Sequence, residues 1–105
     1  MPKSLKDLSE RAAEIRDRFK MHELKKYGRA WSAKDVMLGM VGDVGDLAKL
    51  VLAQDGIRDI PDKHKKLEHE LSDCLWSFLV LAKEYDVDLE RTFLHTMDEI
   101  EKKLK

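Results

Sequence analysis

A single cysteine, Cys74, occurs in the 105-residue chain, so neither an internal disulfide nor a zinc site built from several thiolates is available. A lone thiol fits a reducing compartment, and a cytoplasmic location is the expectation. Glycine and proline are scarce, with five and two residues, and no linker, repeat or low-complexity stretch stands out. Net charge is nearly absent as well: 20 Lys and Arg stand against 21 Asp and Glu. That balance gives no basic field for nucleic acid, which is not expected as a partner. The longest apolar run, Phe78 to Ala82, is far too short to span a bilayer. The segment Met1 to Asp7 lacks the apolar run of a signal peptide, and no helix carries a strongly basic polar face for a membrane surface.

What the chain has is charge, at 39%, interleaved with apolar residues at helical spacing. The pattern predicts an all-α protein, a single domain over residues 1–105 folded as a four-helix antiparallel bundle. The first helix is expected from about Ser4 to Tyr27, with Leu5, Leu8, Ala12, Ile15, Phe19 and His22 inward and Gly28 as the stop. Lys6–Glu10 and Glu14–Arg18 are spaced to pair on its outer side. The second follows Trp31, capped by Ser32 with Asp35, and runs to about Gln54. Its expected inward stripe is Val36, Met40, Val44, Leu47 and Val51, widened by Met37, Val41 and Ala48. Asp62 is expected to cap a third helix ending near Tyr85, with Leu67, Leu71, Cys74, Phe78, Leu81 and Tyr85 inward. Trp76, Leu79 and Val80 fall off that stripe. The surplus predicts that Trp76 and Val80 help bury a subunit interface. Asp88 caps a fourth helix through Leu89, Phe93, Met97, Ile100 and Leu104.

Two acidic pairs interrupt the apolar pattern. Asp43 and Asp46 are three apart on the second helix, and Glu70 and Asp73 are three apart on the third. An antiparallel hairpin of these helices brings the pairs face to face. Carboxylates gathered that closely repel, and a hard divalent cation such as Mg²⁺, or Mn²⁺, resolves the repulsion through oxygen ligands. Ordinary boundary acids are the alternative, because i,i+3 acid pairs arise often in so charged a chain. Gly39, Gly42 and Gly45 are also three apart inside a helix, at a cost of roughly 0.8–1 kcal/mol each against alanine. Close helix packing, or a ligand against the backbone, would offset it. His64 and His69 do not share a face, and no Glu-x-x-His run suggests a di-iron bundle. His22 and His95 have no evident partner in the sequence. Cys74 reads as an inert core thiol. Trp31 is either a base-stacking platform or a hydrophobic staple.

Met40-Val41-Gly42-Asp43-Val44-Gly45-Asp46-Leu47-Ala48, followed by Glu70-Leu71-Ser72-Asp73-Cys74-Leu75, resembles the MazG-like all-α nucleoside triphosphate pyrophosphohydrolases, nearest their dCTP-pyrophosphatase-like branch. The resemblance extends from about Trp31 to Met97. It implies a Mg²⁺-dependent hydrolase, with Mn²⁺ as a substitute, that splits a nucleoside triphosphate between its α and β phosphates. The monophosphate and pyrophosphate are the products, and the implied role is nucleotide-pool house-cleaning. Asp43, Asp46, Glu70 and Asp73 are the implied metal ligands. Asp43, Glu70 and Asp73 are the implied catalytic carboxylates, and Trp31 is a substrate-binding candidate. A homodimer, or a tetramer built from dimers, is the implied assembly. The chain departs from the family pattern in carrying aspartates for both glutamates of the second helix. Thr96 and Ile100 stand where the family carries Lys and Asn. A catalytically weak relative that binds nucleotide or protein, and a purely structural helical oligomer, are the competing readings.

Overall fold

The computed structural model describes residues 3–104; Met1, Pro2 and Lys105, the ends of the expected domain, lie outside the described residues. The described residues form four α-helices and no strand: α1 Leu5–Tyr27, α2 Ala33–Gln54, α3 Lys63–Glu84 and α4 Leu89–Lys103. None is long and apolar enough to cross a membrane.

Local chemistry sets most boundaries. Gly28 ends α1 at a φ of 78°, a left-handed conformation that glycine adopts without a Cβ penalty. Ser32 and Asp35 form a complete capping box at the start of α2: the Ser32 amide donates to the Asp35 carboxylate at 2.9 Å, and the Asp35 amide to the Ser32 hydroxyl. Arg29 adds an ion pair to Asp35 at 3.0 Å, and the Asp35 carboxyl is held below its ordinary value by these bonds, the Ser32 amide first. Asp88 caps α4 by accepting from the Arg91 amide. Asp62 does not cap α3. It takes a left-handed φ of 54° straight after Pro61, and its side chain makes no capping bond; only its carbonyl serves the helix, accepting from the Lys66 amide.

The three long helices alternate in direction. Residues at the start of α2 line one cavity with Leu81 and Tyr85 from the end of α3, so these two helices run antiparallel. Ala12 meets Trp76 and Lys20 pairs with Glu84, so α1 runs parallel to α3. The buried apolar residues are Ala12, Val36, Met40, Leu50, Ala53, Cys74, Leu79 and Val80.

This core differs from the expected one on every helix: α1 leaves Leu8, Phe19 and His22 exposed, α4 leaves Phe93, Met97, Ile100 and Leu104 exposed, and α2 and α3 are each rotated. On α2 the buried face passes from Met40 through half-buried Asp43 and Leu47 to Leu50, leaving Val44 and Val51 outside. On α3, Val80 is 2% exposed, covered from the α1 side, and the Trp76 indole N–H reaches the Ala12 carbonyl at 3.4 Å. The expected subunit interface at Trp76 and Val80 is therefore internal. Leu71, Leu75, Phe78 and Tyr85 are the exposed side of α3 instead. On the outer side of α1, Arg11 pairs with Glu14, whereas the expected Lys6–Glu10 and Glu14–Arg18 pairs do not form.

The exposed positions of α2, Met37, Val41, Val44, Ala48 and Val51, repeat at alternating steps of four and three. Those of α3, Leu71, Leu75, Phe78, Ala82 and Tyr85, do the same, with Ala82 half-covered. Each row lies one residue beyond its helix's facing stripe. In an antiparallel pair of right-handed helices, that offset turns both rows to the same side. Here it is the side opposite α1. In α4, the most amphipathic helix, no residue is buried. The surface totals 8486 Å², against roughly 6,100 Å² expected for a closed monomer of this mass. The radius of gyration is 16.5 Å, against about 13 Å expected.

Candidate functional site

The α2–α3 hairpin brings Asp43, Asp46 and Glu70 together. One carboxylate oxygen from each lies within 4.8 Å of the others. Asp43 stands on the facing stripe of α2, Asp46 nearly one turn later, and Glu70 reaches in from α3. The Glu70 Oε2 atom is buried and has no hydrogen-bond partner among the described residues. Burial pushes the Glu70 carboxyl above its ordinary value. The negative charges of Asp43, Asp73 and Asp46 push it the same way, and His69 opposes them.

Asp73 is not part of the three-residue group. It lies one turn further along α3, half-buried, with His69 Nε2 at 3.1 Å from its carboxylate. Sequence reasoning missed this i,i+4 pair and the equivalent His64–Glu68 and His95–Glu99 pairs, so His95 does have a partner, and the four-residue spacing was the signal. Cys74, behind the carboxylates, is a buried thiol pushed further toward its neutral form by burial first and then by Asp43, Glu70 and Asp73.

One cavity adjoins this region, and an aromatic one lies between α1, the α1–α2 connection and Trp76 of α3. The first, of about 450 Å³, shares Asp46 and Glu70 with the carboxylate group and is bordered by Lys49, Lys65, Lys66 and His69. The other, of about 440 Å³, is lined by Phe19, Tyr27, Trp31 and Trp76, with His22 and Lys26 at its edge and Arg16 and Glu23 behind. Phe19 meets Trp76 edge to face, with centroids 6.0 Å apart.

Sequence reasoning missed the ion pair behind that aromatic cavity. Arg16 and Glu23 are 4% and 6% exposed, joined by two hydrogen bonds of 2.7 and 3.0 Å. The signal was present: both are in helical register with Ala12, and residues seven apart lie two turns apart on one face. Arg16 holds the Glu23 carboxyl below its ordinary value, with burial working the other way and the Trp31 amide assisting.

Thr96 and Ile100 bring no charge to the site. The Thr96 hydroxyl donates to the Thr92 carbonyl of its own helix, and Ile100 is exposed. Gly39, Gly42 and Gly45 do not serve close packing, since a Cβ built on each meets no atom within 4 Å.

The chain matches no known family model, and no curated protein matches it. Exposed acidic groups are common on proteins, and the three carboxylates do not by themselves call for an ion. Their fit to one rests on chemistry: an all-oxygen donor set, mutual repulsion, and a buried Glu70 oxygen without a partner. These suit a hard divalent cation.

Proposed function

We propose that the protein is a Mg²⁺-dependent nucleoside triphosphate pyrophosphohydrolase of MazG-like type, with Mn²⁺ as an alternative ion. The observation that carries this reading is the convergence of Asp43, Asp46 and Glu70 around an unpartnered Glu70 oxygen. The α2 and α3 motifs that resemble that family supply its direction. Asp43, Asp46 and Glu70 would hold the ion, and Asp73, one turn further along α3, would complete the set or act on water. The ion, when bound, would supply positive charge against the phosphate oxygens and lower the cost of the developing negative charge.

The rest of the chemistry belongs to the chain. Asp73, oriented by His69, would accept a proton from the attacking water. The water oxygen bonds to the α phosphorus, the bond from that phosphorus to the bridging oxygen breaks, and pyrophosphate leaves. The cavity beside Asp46 and Glu70 offers Lys49, Lys65 and Lys66 to the leaving phosphates, supplying from α2 and α3 the charge that Thr96 and Ile100 do not bring. The aromatic cavity offers Trp31, Phe19, Tyr27 and Trp76 to the base.

The proposed working unit is a homodimer, or a tetramer of such dimers. Roughly 2,400 Å² of surface in excess of a closed monomer, and rows of apolar residues at coiled-coil spacing on one side of the hairpin, support it. Sedimentation at micromolar concentration should give a dimer or larger species, and Phe78→Lys should shift it toward monomer.

Pyrophosphate release from a panel of nucleoside triphosphates, with Mg²⁺ or Mn²⁺, tests the activity. Release that disappears in Glu70→Gln supports it. No release from any triphosphate, together with tight nucleotide binding, favours the second reading: a non-catalytic relative, to which the uncharged Thr96 and Ile100 positions point.

A further inference from the structure

Burying an arginine and a glutamate is expensive, and an apolar pair of similar volume often serves stability as well or better. The Arg16–Glu23 pair therefore invites a reason beyond stability. Its remaining hydrogen bonds supply one. The Trp31 amide donates to Glu23 Oε1 at 2.6 Å, and Arg16 Nη2 donates to the Trp31 carbonyl at 2.7 Å. The pair grips both polar groups of one residue in the α1–α2 connection, and that residue's half-exposed indole lines the aromatic cavity. Other contacts already hold two more rings: Trp76 by the Ala12 carbonyl and Phe19, and Phe19 by Trp76 in turn. Lys26 stands over the Tyr27 ring at 5.4 Å. Trp31 is the ring that sits on a short connection outside any helix, and it is the one gripped by its backbone.

We propose that Arg16 and Glu23 are positioning residues that fix the Trp31 peptide, so that its indole stands as a preformed wall of the cavity for a flat heteroaromatic ring. Naming that ring a nucleobase rests on the nucleotide reading above. Fixing the wall before binding removes the ordering cost from the binding step.

A double-mutant cycle between the pair and Trp31 tests this. The probes are the four deoxynucleoside monophosphates without metal, measured by titration calorimetry on the full chain. Arg16→Met with Glu23→Leu removes both charges together and so leaves no buried ion unpaired. The parent should bind at least one monophosphate, and this double variant should bind it at least tenfold more weakly. Trp31→Ala should weaken the parent similarly but add little in the double variant, because the two changes remove one interaction. In fluorine-labelled protein the Trp31 resonance, assigned with Trp31→Phe, should move toward the solvent-exposed position when the pair is removed. Unchanged affinity, or fully additive losses, overturns the proposal. If the double variant does not fold, Arg16→Lys keeps the charge but loses the two-pronged fork. It should still weaken binding several-fold, and parent-like affinity there overturns the proposal equally. A parent that binds no monophosphate overturns it too. Pyrophosphate release with Mg²⁺ reads the carboxylate group separately: the pair variants should raise KM and leave kcat near the parent value. An active enzyme whose KM ignores the pair sinks this inference and leaves the hydrolase reading standing.

Discussion

Two clusters of charge sit within the helical framework, and they are built on opposite terms. At the aromatic cavity, Arg16 and Glu23 are buried, opposite in sign, doubly hydrogen-bonded, and have their remaining capacity taken up by Trp31. At the α2–α3 seam, Asp43, Asp46 and Glu70 share one sign, and a buried Glu70 oxygen has no partner. The consequence is visible in the two glutamates: Arg16 holds Glu23 below the ordinary carboxyl value, while burial and like charges push Glu70 above it. The first cluster is satisfied by the chain. The described residues do not satisfy the second, and its missing partner would be a water, a proton or a cation.

The sharpest way to break that contrast is to unpair the satisfied cluster. Glu23→Leu alone leaves Arg16 charged and buried, and should cost about 3–5 kcal/mol in urea unfolding. Removing both charges should restore most of it. If the single and the double variants were equally unstable, the pair would owe its effect to packing and not to charge. The acid limb of stability belongs to the same cluster. Glu23 titrates below its ordinary value of 4.5 in the folded state, so its contribution is full above that value and is lost as pH falls through the depressed folded value.

The unsatisfied cluster should respond to what it lacks. A cation bound only by the folded state at a hundred times its Kd adds about 2.7 kcal/mol, on the order of 10 °C in melting temperature for a chain of this size. Millimolar Mg²⁺ or Mn²⁺ should raise the melting temperature of the parent but not of Glu70→Gln. Without a cation the sign reverses. Glu70 holds its proton more tightly folded than unfolded, so stability falls as pH rises from 4.5 through the raised folded value. Glu70→Gln removes that penalty and should melt somewhat higher than the parent at pH 8, with the gap closing as pH approaches 4.5. A metal-free Glu70→Gln that melts lower than the parent at pH 8 would mean that the carboxylate is satisfied after all.

The same division separates what the sequence made legible from what it hid. The stops and caps at Gly28, Ser32–Asp35 and Asp88 were readable because each depends on residues within one turn. The carboxylates were readable because two i,i+3 pairs on a hairpin converge by geometry alone, although Asp73 stays beside His69, outside the group of three. The buried face was harder to read. α2 and α3 each carry two apolar rows one residue apart, and periodicity cannot say which row the chain keeps for itself. The Arg16–Glu23 pair was hidden for a related reason. A charged residue in an apolar stripe reads as an interruption until its partner two turns away is counted with it.

The smallest expected effect concerns the strip of backbone beside the unsatisfied cluster. Gly39 and Gly42 are interior to α2 and exposed, and a Cβ at either meets open space. Alanine there should stabilise the protein by about 0.5–1 kcal/mol per site, the usual gain for an exposed helical glycine. Close approach of another helix at these positions would have forbidden that gain, and none of the described helices comes within 4 Å of a Cβ there. The glycines therefore offer the shorter Asp43 and Asp46 side chains no compensating close approach of their own. Asp46→Glu should then tighten Mg²⁺ binding by extending its reach about 1.5 Å, roughly one C–C bond. The glycine variants divide the remaining explanations. Gly42→Ala that melts higher and keeps full turnover means that the glycine is merely tolerated. Gly42→Ala that melts higher yet has a raised KM means that substrate lies along this backbone, which would extend the unsatisfied region from the carboxylates to the helix beside them.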